Sequence, residues 1–249
     1  MQMGTPELAS DSGIEDALLA LKEGKFILLH DSESRENEID MVVAAEHASP
    51  KHIAIMRADA GGLLCLALGN QVGKKLGLPY LRDVFSVASE RYPVLEQLNE
   101  RNAPYGGKSA FSITVNHRRT FTGVTDHDRA LTIAELSSIS RAALDDGTRG
   151  LRRRFATEFR APGHVHLLIE AERSIAERRG HTELSVHLCR LAGLAPAAVI
   201  CEMLDGRTHK ALSIRGAATY AKKNLIPLVD GQRVITHFLE SDNNSRGGR

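Results

Sequence analysis

Hydrophobic and polar positions along this 249-residue chain alternate between two periods. Apolar residues recur at helical spacing over 14–24, 51–59, 128–144, 182–193, 216–224 and 232–240. Short apolar runs of strand length stand between them, at 26–30, 41–46, 63–68, 111–115, 165–169, 197–203 and 226–229. This exchange of strands and helices predicts one α+β domain, in which helices cover a mixed β-sheet to give three layers.

Capping and turn residues indicate where the domain begins and ends. Residues 12–15 have the capping-box pattern of a helix start, and Gly24 suits the end of the same helix. We find no linker long enough to divide residues 14–240, so we expect a single domain there. Residues 1–13 are expected to form a flexible tail and the polar residues 241–249 a disordered one.

Composition excludes several classes of function. The chain has 32 Lys and Arg residues against 31 Asp and Glu residues, so its net charge of +1 favours neither nucleic acid nor membrane as a partner. It has no apolar run of roughly 20 residues and no hydrophobic signal core, which indicates a cytoplasmic protein. Three cysteines without paired spacing favour neither disulfides nor a zinc site.

Acidic residues are concentrated in DSESRENEID, residues 31–40, which holds five carboxylates and one arginine. If residues 35–40 are extended, the period of two places Glu36, Glu38 and Asp40 on one face. Carboxylates so close together repel one another unless a cation lies among them, and oxygen ligands suit Mg²⁺ or Mn²⁺. The alternative from the residues alone is a solvated acidic loop.

A second polar stretch, residues 177–193, begins a predicted helix near Thr182. The Thr182 hydroxyl and the first free amides of the helix form an anion site there, with Arg178 and Arg179 at its mouth. The alternative is an ordinary helix cap beside two surface arginines, because one helix N-terminus is never specific. His181 has the same two interpretations, a ligand or a polar residue before a helix.

Six motifs in a fixed order carry a resemblance to a known family. They read DSESRENEID over 31–40, DAGGLLC over 59–65, FTGVTDHDRALTI over 121–133, PGHV over 162–165, RRGHTE over 178–183 and ICEM over 200–203. In these motifs, and over roughly residues 14–238, the chain resembles the 3,4-dihydroxy-2-butanone 4-phosphate synthase family, and its archaeal branch in particular.

The resemblance implies a metal-dependent, monofunctional lyase of riboflavin biosynthesis. Such an enzyme converts D-ribulose 5-phosphate, a small sugar phosphate, to L-3,4-dihydroxy-2-butanone 4-phosphate and formate. The family also implies a homodimer and a divalent cofactor, Mg²⁺ or Mn²⁺, with two ions in each active site. Three positions depart from the family pattern, namely Ser34, Ile39 and His187, and none of them coincides with a metal or phosphate position.

Roles for individual residues follow from the resemblance, position by position. The metal ligands it implies are Glu36 and His181. The implied catalytic residues are His164, Glu202, Cys65 and Glu38. The implied substrate-binding residues are Arg35, Glu36, Asp40, Arg178, Arg179, Gly180, His181, Thr182 and Glu202.

Glu202 is notable before any comparison, because it interrupts the apolar run 197–203 of a predicted buried strand. A buried glutamate without a partner is costly, and desolvation is expected to raise its pKa into the range useful for proton transfer. The structural alternatives are a paired buried carboxylate for Glu202 and a satisfied histidine at a strand end for His164.

Two other classes of function remain open from the sequence. The basic stretch 149–160 suits a nucleic-acid surface, and the related fold of the YrdC group handles nucleotides and RNA. Aromatic residues make up only 4% of the chain, which disfavours base stacking. The other alternative is a non-catalytic relative that keeps the fold as a binding module, against which the retained site residues argue.

Overall fold

The structure is a computed structural model that describes residues 13–99, 107–145 and 150–247. Its strands are β1 Ile27–His30, β2 Ile39–Ala44, β3 Cys65–Leu68, β4 Phe111–His117, β5 Phe159–Ile169, β6 Ala197–Glu202, β7 Leu204–Asp205, β8 Lys210–Ala211 and β9 Leu228–Asp230. Its α-helices are α1 Ile14–Lys22, α2 Pro50–Ile55, α3 Asn70–Leu76, α4 Leu81–Ala88, α5 Val94–Leu98, α6 Asp126–Ala142, α7 Leu151–Glu158, α8 His181–Leu191, α9 Ile214–Asn224 and α10 Gly231–Gly247.

Seven strands form one mixed sheet in the order β4-β5-β3-β6-β2-β1-β9. The pairs β3–β5 and β1–β9 are parallel, and the other neighbours are antiparallel. Strands β7 and β8 form a separate small hairpin. The long connections between neighbouring strands are the reason that residues distant in sequence meet at one edge of this sheet.

Helices cover both faces of the sheet. In β2, Met41 and Val43 point into a core shared with α2, α6 and α9, whereas Val42 points into the opposite core, shared with α1, α8 and α10. All six residues of β2 are buried, as expected when both faces of a strand are covered. The predicted single-domain α+β fold with a mixed, helix-covered sheet is confirmed.

Several boundaries differ from those that the sequence indicated. Short helices α3, α4, α5 and α7 were not predicted, since their apolar pattern is brief. The predicted 51–59 helix ends in a π-helical turn, Met56–Ala60. Helix α10 continues to Gly247 where a disordered tail was expected from residue 241, because adding a residue to a formed helix costs little.

The predicted flexible tail and the capping-box serine fall at residues 1–12, outside the described residues. The first described residue, Gly13, is the N-cap of α1. No helix in the described ranges is long and apolar enough to cross a bilayer.

Candidate active site

A cavity of about 320 Å³ opens at the edge of the sheet where β2 begins and β6 ends. These strands are antiparallel, so Asp40 pairs with Glu202, and beside them Cys65 begins β3 and pairs with Ile200. Residues from six separate parts of the chain line this cavity, including Arg35, Glu36, Asp40, Cys65, Lys108, Arg178, Gly180, His181, Thr182 and Glu202. Most of the predicted site residues are therefore together.

The acidic stretch reaches the cavity as a tight turn rather than as an extended strand. The buried Asp31 carboxylate accepts hydrogen bonds from the backbone N–H groups of Glu36 at 2.9 Å and Glu38 at 3.1 Å. Asn37 has a φ of 54°, which closes the turn before β2 begins at Ile39. The residues before Ile39 are therefore not extended, and the predicted alternation of Glu36, Glu38 and Asp40 on one strand face is wrong. The hydrogen bonds to the Asp31 carboxylate hold this backbone in a turn.

The imidazole of His181 lies among three acidic residues. Its Nδ1 is 3.3 Å from Glu36 Oε2, and its Nε2 is 3.3 Å from the Glu38 carbonyl oxygen and 3.6 Å from Asp40 Oδ1. Ligand atoms of Asp31, Glu36 and His181 all lie within 4.8 Å of one another. Asp40 Oδ1 is buried and has no hydrogen-bond partner among the described residues.

This crowding changes the proton affinity of the cluster. Burial raises the pKa of Asp40 to about 7, and Glu202 and Glu36 add to the effect while His181 opposes it. Burial disfavours a charge on His181, but Asp40 and the hydrogen bond with Glu36 outweigh it and raise the pKa to about 9. Burial and the charges of Glu36 and Glu202 also raise the pKa of Glu38. A positive charge, either a proton or a metal ion, stabilises such a cluster.

The N-terminus of α8 forms the opposite wall of the cavity. Gly180 is the N-cap, so Thr182 is the second residue of the helix and not the cap that the sequence predicted. A Cβ atom on Gly180 would lie 2.7 Å from the guanidinium of Arg35, which explains the glycine. Arg35 in turn pairs with Glu36 at 3.0 Å and with Asp31 at 3.3 Å. The helix N-terminus and the acidic turn are thus packed directly against each other.

The two neighbouring arginines differ in position. Arg178 donates to both carboxylate oxygens of the buried Glu183, to the Ile169 carbonyl and to the Lys108 carbonyl, at distances of 2.7–2.9 Å. It therefore fastens α8 to the strand β5 and to the segment before β4. Arg179 is exposed and does not line the cavity.

The backbone that follows the π-helical turn, at Gly62 and Leu63, holds Glu202 in place. The Leu63 N–H donates to Glu202 Oε2 at 2.6 Å, and a Cβ atom on Gly62 would lie 2.4 Å from the same oxygen. Glu202 is only partly buried, so the expected deep burial is wrong, because the residue ends its strand and faces the cavity. Nearby, Cys65 is buried, and burial with the Glu202 and Asp40 charges raises the pKa of its thiol far above the ordinary value.

Two of the predicted catalytic residues, Glu38 and His164, do not line the cavity. Glu38 is close enough to Glu202 and His181 for their charges to act on its carboxyl, whereas His164 is exposed on β5. Asn116 of β4 contacts it twice, at the backbone and at the ring. Sequence reasoning missed Asp31, Lys108 and Asn116. Asp31 followed by Ser32 is a turn signal from which Asp31 could have been identified, but nothing local identifies the other two.

The fold and the cavity define a class of site in which an acidic cluster faces the N-terminus of a helix, an arrangement that suits a cation at one end and an anionic group at the other. The family model described as 3,4-dihydroxy-2-butanone 4-phosphate synthase matches residues 15–237. This chain belongs to that family of lyases of riboflavin biosynthesis.

Relatives and solved structures agree with this assignment. The chain is 48% identical over 227 residues to the synthase of Methanothermobacter thermautotrophicus, covering 91% of this chain and 96% of that protein. It is 32% identical over 227 residues to the synthase of Saccharomyces cerevisiae, covering 90% and 97%. A solved synthase structure in complex with two magnesium ions has a TM-score of 0.73 and 29% identity, covering 93% of this chain and 98% of that one.

Proposed function

We propose that this chain converts D-ribulose 5-phosphate to L-3,4-dihydroxy-2-butanone 4-phosphate and formate. The observation that carries the proposal is the convergence of Glu36, Asp40, His181 and Glu202 on one cavity, in a chain that matches the family over 15–237. The five-carbon substrate loses one carbon as formate, and the steps are enolisation, loss and return of water, and a shift of the carbon skeleton. Each of them moves protons or negative charge.

The cluster fits a divalent cation, Mg²⁺ or Mn²⁺, and the related structure that holds two magnesium ions supports two ions per site. Glu36 and His181 would hold the metal, with waters and substrate oxygens completing a coordination shell of the kind Mg²⁺ keeps. The orphaned Asp40 Oδ1 and the repelling carboxylates are what a cation site requires. When bound, the metal polarises neighbouring carbonyl and hydroxyl oxygens of the ketose.

The phosphate group fits the α8 end of the cavity. Gly180, His181 and Thr182 at the start of α8 line the cavity there, and the helix dipole favours an anion. Arg178 and Lys108 line the same end and supply positive charge. Arg35, held by Asp31 and Glu36, separates the phosphate from the acidic cluster.

We assign proton transfer to Glu202, Glu38 and His164, which act on the carbon chain of the sugar, away from its phosphate group. Glu202, anchored through Oε2, is placed to accept and return protons at the carbon chain. Glu38, whose pKa is raised, is a second proton carrier beside it. The buried Cys65 thiol stays protonated, so we assign it a role in shaping the cavity wall and not in nucleophilic attack. His164 is the remaining proton donor.

A homodimer completes the proposal. His164 is exposed outside the cavity, and Phe121 and Val124, which follow β4, are 91% and 51% exposed. Such apolar exposure beside a functional residue suits an interface between two copies of the chain. The second copy would shield His164 from water.

Incubation with ribulose 5-phosphate and Mg²⁺, followed by assay of formate and the four-carbon phosphate, tests the proposal. We expect turnover that EDTA abolishes and that Mg²⁺ or Mn²⁺ restores. Glu36→Gln and His181→Ala should abolish it while circular dichroism shows the parent fold, and Arg153→Ala, at an exposed position on α7 outside the cavity, is the control. Absence of turnover above a metal-free blank removes the proposal, and near-full activity of either variant removes the ligand assignment.

A further inference from the structure

The backbone before His164 leaves the sheet ladder. Val115 of β4 pairs with Val165 of β5, but the next residue, Asn116, pairs with Arg160, so residues 161–164 bulge out of the strand. The bulge is tight, since a Cβ atom on Gly163 would lie 1.9 Å from the backbone of β4. The N–H of His164 therefore lacks a ladder partner, and a side chain provides one.

Asn116 is that partner, and its amide orientation is fixed by three contacts. Its Oδ1 accepts from the His164 N–H at 2.8 Å, while its Nδ2 lies 3.3 Å from the Thr122 carbonyl oxygen and 3.1 Å from His164 Nδ1. If the amide were flipped, its NH₂ group would face the His164 N–H, and its oxygen would face the Thr122 carbonyl oxygen, so neither hydrogen bond could form. Asn116 is buried, and Gly123 leaves room for it, because a Cβ there would lie 2.0 Å from Asn116 Nδ2.

This orientation has a consequence for the imidazole. Because Asn116 Nδ2 donates, His164 Nδ1 must accept, and a neutral ring then carries its proton on Nε2. We infer that Asn116 is a positioning residue that selects the Nε2–H tautomer of His164 and fixes the plane of its ring. The Nε2–H group is then the donor that His164 offers to an oxygen of the substrate, a step that rests on the proposed function.

Nitrogen NMR of the histidine rings tests the inference without any assay of activity. At about pH 8, above the ordinary histidine pKa, we expect the His164 ring, assigned by loss of its signals in His164→Gln, to be protonated on Nε2. Asn116→Asp replaces the donor with an acceptor and should move the proton to Nδ1. Asn224→Asp, the same change on α9 far from the bulge, should leave the ring unchanged. A wild-type ring protonated on Nδ1, or an even mixture, overturns the inference.

Kinetics test the functional half. We expect Asn116→Asp to lower kcat by about 10²- to 10⁴-fold with KM within about threefold, as a wrong histidine tautomer does in other enzymes. If the aspartate variant fails to fold, Asn116→Ser replaces it in both experiments. The single hydroxyl of serine cannot donate to both the Thr122 carbonyl oxygen and His164 Nδ1, so we expect a weaker preference for the Nε2–H tautomer and a lower kcat. A reversed tautomer with unchanged kcat overturns the catalytic use of Nε2. A wild type whose His164 ring is protonated on Nε2 but which shows no turnover of ribulose 5-phosphate counts against the proposed function alone.

Discussion

At the scale of residues, the roles of Arg178 and Glu202 separate. The sequence assigned Arg178 to the phosphate alone, but its guanidinium also neutralises Glu183, which is fully buried at 0% exposure. Glu202 has a backbone donor on one oxygen and faces the cavity. We therefore expect Arg178 to contribute to stability as well as to substrate binding, and Glu202 to contribute to the chemistry.

We expect replacement of Glu202 and replacement of Arg178 to have different effects on catalysis, substrate binding and stability. Glu202→Gln keeps an acceptor for the Leu63 N–H but cannot exchange a proton, so kcat should fall by about 10²- to 10⁴-fold with KM little changed. Arg178→Ala should raise KM and also lower the free energy of unfolding by about 3–5 kcal/mol, because Glu183 stays buried without its partner. Steady-state kinetics and urea unfolding measure the two effects.

Two further variants serve as controls for this pair. Arg153→Ala changes an exposed arginine on α7, away from the cavity, and should alter neither stability nor kcat. Glu183→Gln combined with Arg178→Ala removes the unpaired charge and should recover part of the lost stability. If kcat of Glu202→Gln stays within about tenfold of the parent, Glu202 is structural.

At the scale of elements, α8 joins the site to the core. His181 begins the helix at the cavity, and His187, near its middle, packs on α10, with its ring 5.3 Å from that of Phe238 and 6.4 Å from that of His237. Nε2 of His187 is buried without a hydrogen-bond partner among the described residues. The contact between α8 and α10 therefore accommodates a neutral imidazole better than a charged one.

Protonation of His187 should weaken the fold. Burial lowers its pKa to about 4, and the charges of Arg190 and His237 act in the same direction, while Glu170 opposes them. The unfolded chain, with an ordinary pKa of about 6.5, binds the proton first, so this stabilisation is complete above about pH 6.5 and is lost as pH falls toward 4. Between about pH 6.5 and pH 4 the free energy of unfolding should fall less in His187→Gln than in the parent, by on the order of 1–3 kcal/mol.

Chemical unfolding at a series of pH values measures this slope. His127→Gln, at an exposed position in α6, is the control for loss of one imidazole. A slope in His187→Gln equal to that of the parent across the whole window would show that His187 titrates alike in the folded and unfolded chains.

At the scale of the whole molecule, one predicted catalytic residue, His164, lies on an exposed part of β5 outside the cavity. The sheet order brings the acidic turn, β3, β6 and α8 to one edge, whereas β5 carries His164 outward beside the exposed Phe121. One chain thus presents a cavity and, outside it, an exposed apolar surface that includes Phe121 and lies beside His164. A two-fold dimer repeats this arrangement on both copies.

We expect sedimentation at micromolar concentration to give twice the 27.2 kDa mass of one chain. Phe121→Asp should shift the equilibrium toward monomer and lower activity in parallel, because a charge there opposes burial of the apolar surface. Val87→Asp, at a valine on α4 that is 79% exposed, should leave the dimer intact. A fully active monomer contradicts the need for a second copy.

Local patterns in the sequence determined most of the longer helices, the strands of the seven-stranded sheet and the family resemblance, because amphipathic periods and short motifs need only neighbouring residues. Only the tertiary structure decided which contacts the site residues make. Glu36 contacts His181, which is 145 residues away in sequence, and Leu63 contacts Glu202, which is 139 residues away. The turn around Asp31 and the partial exposure of Glu202 follow from backbone hydrogen bonds and strand ends that no periodicity encodes. The bond between Asn116 and His164 depends on a bulge in the pairing of two strands, which exists only once the sheet has formed.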